Sequence, residues 1–85
     1  MTYEEFISTI WAEVAKCPKN WRKGQSVFNV MEEQFGKVAR DVQFQDGIDC
    51  FYHDDEIDAF IEKCWERIDD IEKKWEKFIL LTNKL

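Results

Sequence analysis

Cys50-x-x-His53 has the spacing of two metal ligands, Cys64 follows one helical segment later, and Cys17 is available elsewhere. Zinc takes thiolate and imidazole at such spacings, so a small zinc-stabilised binding module is one reading of the chain. Cys64, however, falls on an apolar helical seam, where a thiol behaves as a small hydrophobe. Cys17 adjoins Pro18, and a second Cys-x-x-Cys is lacking. The expectation is therefore three reduced thiols, no metal and no cofactor, with His53 a hydrogen-bonded loop residue. Catalytic sets are harder still to find. The sequence has a single histidine, no Ser/His/Asp combination, no HExxH and no glycine-rich phosphate loop behind a strand. Acid pairs such as Asp54/Asp55 and Asp69/Asp70 read as a helix cap and a solvated face. No catalytic residue is assigned, and the chain is expected not to be an enzyme.

Charge and aromaticity meet at WRKGQSVFN, residues 21 to 29. Trp21, Arg22 and Lys23 stand at a helix start, where free amides and two bases suit a carboxylate or phosphate of a partner. The bland alternative is a solvated turn whose bases pair with the acidic third helix of the same chain. Positive charge there opposes the helix dipole by a few tenths of a kcal/mol, on the order of the usual effect. From Ala15 to Met31 there are four bases and no acid; against the overall charge of −6, the rest of the chain carries about −10.

These residues need elements to hold them. Tyr3, Phe6, Ile7, Ile10, Trp11 and Val14 follow one helical face. Thr2 with Glu5 forms a capping box, and Pro18 ends the segment, which predicts a first helix over about residues 3–16. Asn20 is the expected N-cap of a second helix. Its apolar arc holds Trp21, Gly24, Val27, Phe28, Met31, Phe35 and Val38. Gly36 either terminates it or lets KVARDV continue another turn. Gly24, near the middle of the arc, costs about 1 kcal/mol in propensity against Ala. A close neighbour would offset that cost. Arg22, Gln25 and Asn29 form a polar stripe beside the arc, able to hydrogen-bond an irregular segment packed there.

The neighbour is expected to be the connector around residues 42–52. Val42, Phe44, Ile48, Cys50 and Tyr52 alternate, and a three-residue loop at Gln45-Asp46-Gly47 would pair Phe44 with Ile48 and Val42 with Cys50. A short β-hairpin and a folded loop both fit. A third helix follows over about 55–82, capped by Asp54 or Asp55, with Ile57, Ile61, Cys64, Ile68, Ile71, Trp75 and Phe78 on its seam. At about 40 Å it is long for so small a chain. Either the first helix runs along its far half, or the end bearing Trp75, Phe78, Ile79 and Leu81 meets a partner or a second copy. The fold expected is a single mainly α domain over residues 1–85, with three helices.

Length allows one modest core, and four Trp, two Tyr and seven Phe can fill it. No apolar run approaches the ~18 residues of a membrane span, and MTYEEFISTI lacks a basic leader, so a cytoplasmic protein is expected. Net acidity argues against direct nucleic-acid binding. The acidic face of the third helix suggests an alternative, a nucleic-acid mimic that inhibits a host enzyme, although Lys63, Arg67, Lys73, Lys74 and Lys77 interrupt that face. The primary expectation is an interaction or regulatory protein with a protein partner, or a homodimer.

Arg22, Gly24, Gln25 and Asn29, followed by Asp49, Phe51, Tyr52 and Asp54, compose an RxGQxxxN segment and then a DxFYxD segment. In this, residues 21 to 61 resemble a family of small uncharacterised bacterial and phage proteins. The chain departs from it in carrying Cys50 where the family often has proline, and in a longer third helix. The resemblance implies a small accessory protein, of the kind carried on mobile elements, and no particular reaction.

Overall fold

The computed structural model describes residues 2–83, with side chains described through Ile71. Four α-helices follow in order: α1 (Tyr3–Val14), α2 (Lys23–Phe35), α3 (Lys37–Phe44) and α4 (Ile57–Asn83), the last preceded by a 3-10 turn at Asp54–Glu56. The described residues contain no strand. The domain is mainly α, as the periodicity implies, with one helix more than the sequence suggests.

The start of α1 is the expected capping box: Glu5 N–H donates to Thr2 Oγ1 at 3.1 Å, and Thr2 N–H donates to Glu5 Oε1 at 3.4 Å. Its end comes two residues earlier than predicted. The Lys16 and Cys17 amides bond back three residues, to Glu13 and Val14, so the last turn tightens before Pro18. The start of α2 is displaced as well. Arg22, extended at φ −68° and ψ 154°, is the N-cap residue in place of Asn20, which leaves Trp21 outside the helix.

Gly36 closes α2 at φ 61°, ψ −122°, a conformation only glycine adopts readily, and the chain re-enters a helix at once. Both sequence alternatives are thus partly realised. The glycine ends one helix, and KVARDV forms the next.

The hairpin is corrected by α3. Residues 37–44 are helical, and Val38, Ala39 and Val42 face the core while Phe44 stands 76% exposed. Two residues apart on a strand, Val42 and Phe44 would share a face; on a helix they are about 200° apart. Gly47 does take a positive φ, of 70°, but it turns the chain out of α3. The Asp46 and Ile48 amides return to the Asp41 and Val42 carbonyls, satisfying the helix end. Arg67 of α4 grips this turn: its Nε and Nη2 donate to the two Asp46 carboxylate oxygens at 2.8 and 3.1 Å, and Nη2 reaches Gln45 Oε1 at 3.4 Å.

Phe6 and Ile10 of α1, Val27 and Met31 of α2, Val42 of α3, and Phe60 and Cys64 of α4 are the fully buried centre of the core. Phe6 sits between Phe35 and Trp65, at 5.4 and 5.2 Å between ring centroids, and Phe28 meets Phe60 at 5.6 Å. Tyr3, the first residue of α1, lies against Trp65 at 5.6 Å, while Trp11 borders a groove with Ile57. The two helices therefore run antiparallel, with α1 beside the first part of α4 rather than along its far half. Ile71 is already 47% exposed. The candidate interface residues Trp75, Phe78, Ile79 and Leu81 lie outside the residues whose side chains are described. No helix among the described residues is long and apolar enough to cross a membrane.

Candidate interaction surface

Gly24 is the second residue of α2, and its position explains its presence. A Cβ there would collide with the Cys50 carbonyl oxygen and come within 2.7 Å of Asp54 Oδ1. Only a residue without a side chain lets the connector lie this close. The contact is also chemically matched. Gly24 N–H donates to Asp54 Oδ1 at 3.1 Å, and the Cys50 thiol donates to the Gly24 carbonyl at 3.3 Å. Arg22 Nη2 donates to the Phe51 carbonyl at 2.6 Å, and its Nη1 lies 3.8 Å from Asp54 Oδ1.

Asp54 thus caps α2 from thirty positions along the chain. Arg22, the N-cap by backbone conformation, offers no side-chain acceptor, so one of the orphan amides of the helix start takes its acceptor from the connector. Asp54 does not cap α4, as proximity in sequence suggests; His53 precedes the 3-10 turn, and the Glu56 amide bonds its carbonyl. The anion expected at the basic helix start is supplied by the chain itself. Lys23, the other base, lies over the Trp11 ring at 5.1 Å.

The polar stripe divides. Arg22 holds the connector as expected, whereas the half-buried Gln25 and Asn29 side chains make no hydrogen bond among the described residues. Trp21 is half-buried. Cys50 and Cys64 are fully buried, and burial pushes the Cys50 thiol up to about 12, with the neighbouring Asp49 charge adding to it; burial raises Cys64 too. Both thiols stay protonated at neutral pH and pack as apolar groups. His53 is exposed, and no group of three His, Cys, Asp or Glu side chains among the described residues could hold a metal ion. On the acidic face of α4, Lys63 pairs with Glu66 at 3.2 Å, breaking up the field that a duplex mimic would need.

The other side of the connector is open. A groove of 610 Å³ runs between α2, α3 and the connector, lined by Phe28, Glu32, Arg40, Gln43, Phe44, Asp49, Phe51 and Tyr52. Phe28 meets Phe51 edge-to-face at 5.6 Å, and Phe51 meets Tyr52 at 4.7 Å. Rings in such contact form a continuous aromatic floor. Phe44 and Tyr52 rise from it 76% and 65% exposed. Arg40 places Nε and Nη2 on Glu32 Oε1, at 3.1 and 2.8 Å, bridging α3 to α2. Asp49 Oδ1 accepts from the Phe51 amide at 2.9 Å and holds the ring pair in place.

Phe51 and Tyr52, singled out from the sequence, both line this groove; that Phe44, Arg40, Glu32 and Asp49 join them there was not legible. The signal lay in the i, i+4 spacing of Arg40 and Phe44 opposite Val38 and Val42, visible only with a helical period. Comparison of the chain with protein-family models, with curated proteins and with solved structures gives no match.

Proposed function

We propose that this is a small, non-catalytic cytoplasmic protein that binds a protein partner through the groove between α2, α3 and the connector. One observation carries the reading: Phe44 and Tyr52, two large rings, are mostly in solvent at the edges of an aromatic-floored groove. Exposed rings packed on a rigid floor are the composition of an interface centre rather than of an ordinary surface. The polar inventory suits recognition more than reaction. Both buried thiols are held protonated, and Arg40 is occupied in bridging to Glu32. Likeness to the RxGQxxxN and DxFYxD proteins of bacteria and phages supports an accessory role, of the regulatory kind carried on mobile elements.

The test compares capture from host lysate by the wild-type protein and by a Phe44→Ala/Tyr52→Ala variant. Both side chains point largely into water, so the variant keeps its helical content and stability. A partner retained by the wild type and lost by the variant supports the reading. Equal capture by both, or none by either, overturns it.

A further inference from the structure

Resting on that reading, we propose that the groove takes a cationic side chain, Arg or Lys, presented within an apolar segment of the partner protein. Its unengaged charged atoms are acceptors, while the neutral Gln43 amide and Tyr52 hydroxyl can serve either way. Asp49 uses Oδ1 on the Phe51 amide and Glu32 uses Oε1 on Arg40, so each carboxylate keeps its second oxygen outside those bonds. The one cation in the lining, Arg40, is spent on Glu32, which leaves Asp49 as the uncompensated charge. The exposed rings of Phe44 and Tyr52 line the same groove, and aromatic faces attract cations through their quadrupole. The chain already uses this contact internally, with Lys23 over Trp11. A net charge of −6 adds long-range attraction of the same sign. An anionic or nucleic-acid segment meets the opposite conditions: no free guanidinium and an acidic rim.

Short capped peptides sharing one apolar frame, with Arg, its neutral isostere citrulline, or Glu at the centre, separate the alternatives. Amide chemical shifts of isotopically labelled protein report where each binds. The Arg peptide is expected to shift residues 44 and 49–52, and to weaken with added salt. Asp49→Asn keeps an acceptor for the Phe51 amide but removes the charge; Tyr52→Ala removes the ring. Each should weaken the Arg peptide by about three- to ten-fold, and Asp49→Asn should leave the citrulline peptide unchanged. Equal binding of the Arg and citrulline peptides overturns the cation preference while leaving the interaction surface standing. Preference for Glu, shifts confined to the acidic face of α4, or no shift with any peptide overturns it too. Light scattering that shows a wild-type dimer lost in Phe44→Ala/Tyr52→Ala would identify the occupant as a second copy and overturn the proposal. Capture of a host partner remains a separate readout, so failure here and failure of the interaction reading are distinguishable.

Discussion

The connector between α3 and α4 has two sides that behave in opposite ways. Toward the start of α2 its groups are engaged: Gly24 admits the Cys50 carbonyl, and Asp54, Arg22 and Cys50 each find a partner there. Toward α3, a few residues away, the same connector leaves Tyr52 in solvent opposite an even more exposed Phe44. Irregular backbone next to a core must have its polar groups satisfied. Once that is done on one side, the other is free to present side chains. The closed junction is thus the support that makes an open aromatic groove rigid enough to recognise anything.

The widest contrast is expected within α3, whose two faces belong to these two environments. Val42→Asp buries an unpaired carboxylate at a site with no exposure and should cost about 4 kcal/mol or more, enough to unfold much of the population. Phe44→Asp, two residues on, should change stability by less than about 0.5 kcal/mol. Urea denaturation of the pair measures this. Comparable losses at both positions would mean that the two share a face, as a strand would have it, and α3 would be wrong.

Gly24→Ala comes next. Alanine favours a helix by about 1 kcal/mol over glycine, so at an open helical site the substitution would stabilise. Here the added methyl meets the backbone of Cys50 and the carboxylate of Asp54, and backbone cannot swing aside. A net loss of about 2–3 kcal/mol is expected, in the range of overpacked sites with a cap displaced as well. A neutral or stabilised variant would show that the connector does not lie against α2.

How much of this could be read from sequence depends on repeat length. The seam of α4 and the arc of α2 run long enough for a period near 3.6 to show itself, and both helices lie close to their expected places. Gly24 was legible because a glycine in an apolar arc is a cost that calls for a neighbour. Eight residues of α3 offer too few turns, and the alternation of Val42, Phe44, Ile48, Cys50 and Tyr52 imitates a strand across a helix end. That misreading also hid the groove, since exposure of Phe44 follows only from the helical period. Asp54 illustrates a different limit. An acid before a helix looks like the cap of that helix, and nothing local reveals that its amide partner lies in α2. Gln25 and Asn29 were given a task that Arg22 and Asp54 perform without them.

Asp54 allows a finer test of the junction. Asp54→Ala removes the acceptor of the Gly24 amide and the partner of Arg22, and should cost about 1 kcal/mol, the usual value of a helix cap. Asp54→Asn keeps an acceptor and should recover more than half of that. Equal losses for the two would assign the effect to charge rather than to capping.

The smallest effect concerns the far end of the connector, where Arg67 holds Asp46. The hydrogen bond to the guanidinium keeps the Asp46 carboxyl below its ordinary range, more than burial raises it. In the unfolded chain that carboxyl returns to its ordinary value. Because the folded value is the lower one, the stabilisation is complete above the ordinary carboxylate range and is lost as pH falls through the lowered folded value. Asp46→Asn should therefore lie modestly below the wild type in urea midpoint at neutral pH, with the gap narrowing as the solution is acidified past about pH 4. A gap that stays constant into acid would mean that Arg67 does not stabilise the Asp46 carboxylate. A gap that closes would show that the Asp46–Arg67 ion pair fastens one end of the groove's connector, as the α2 cap at Asp54 fastens the other, with the aromatic pair Phe51–Tyr52 between them.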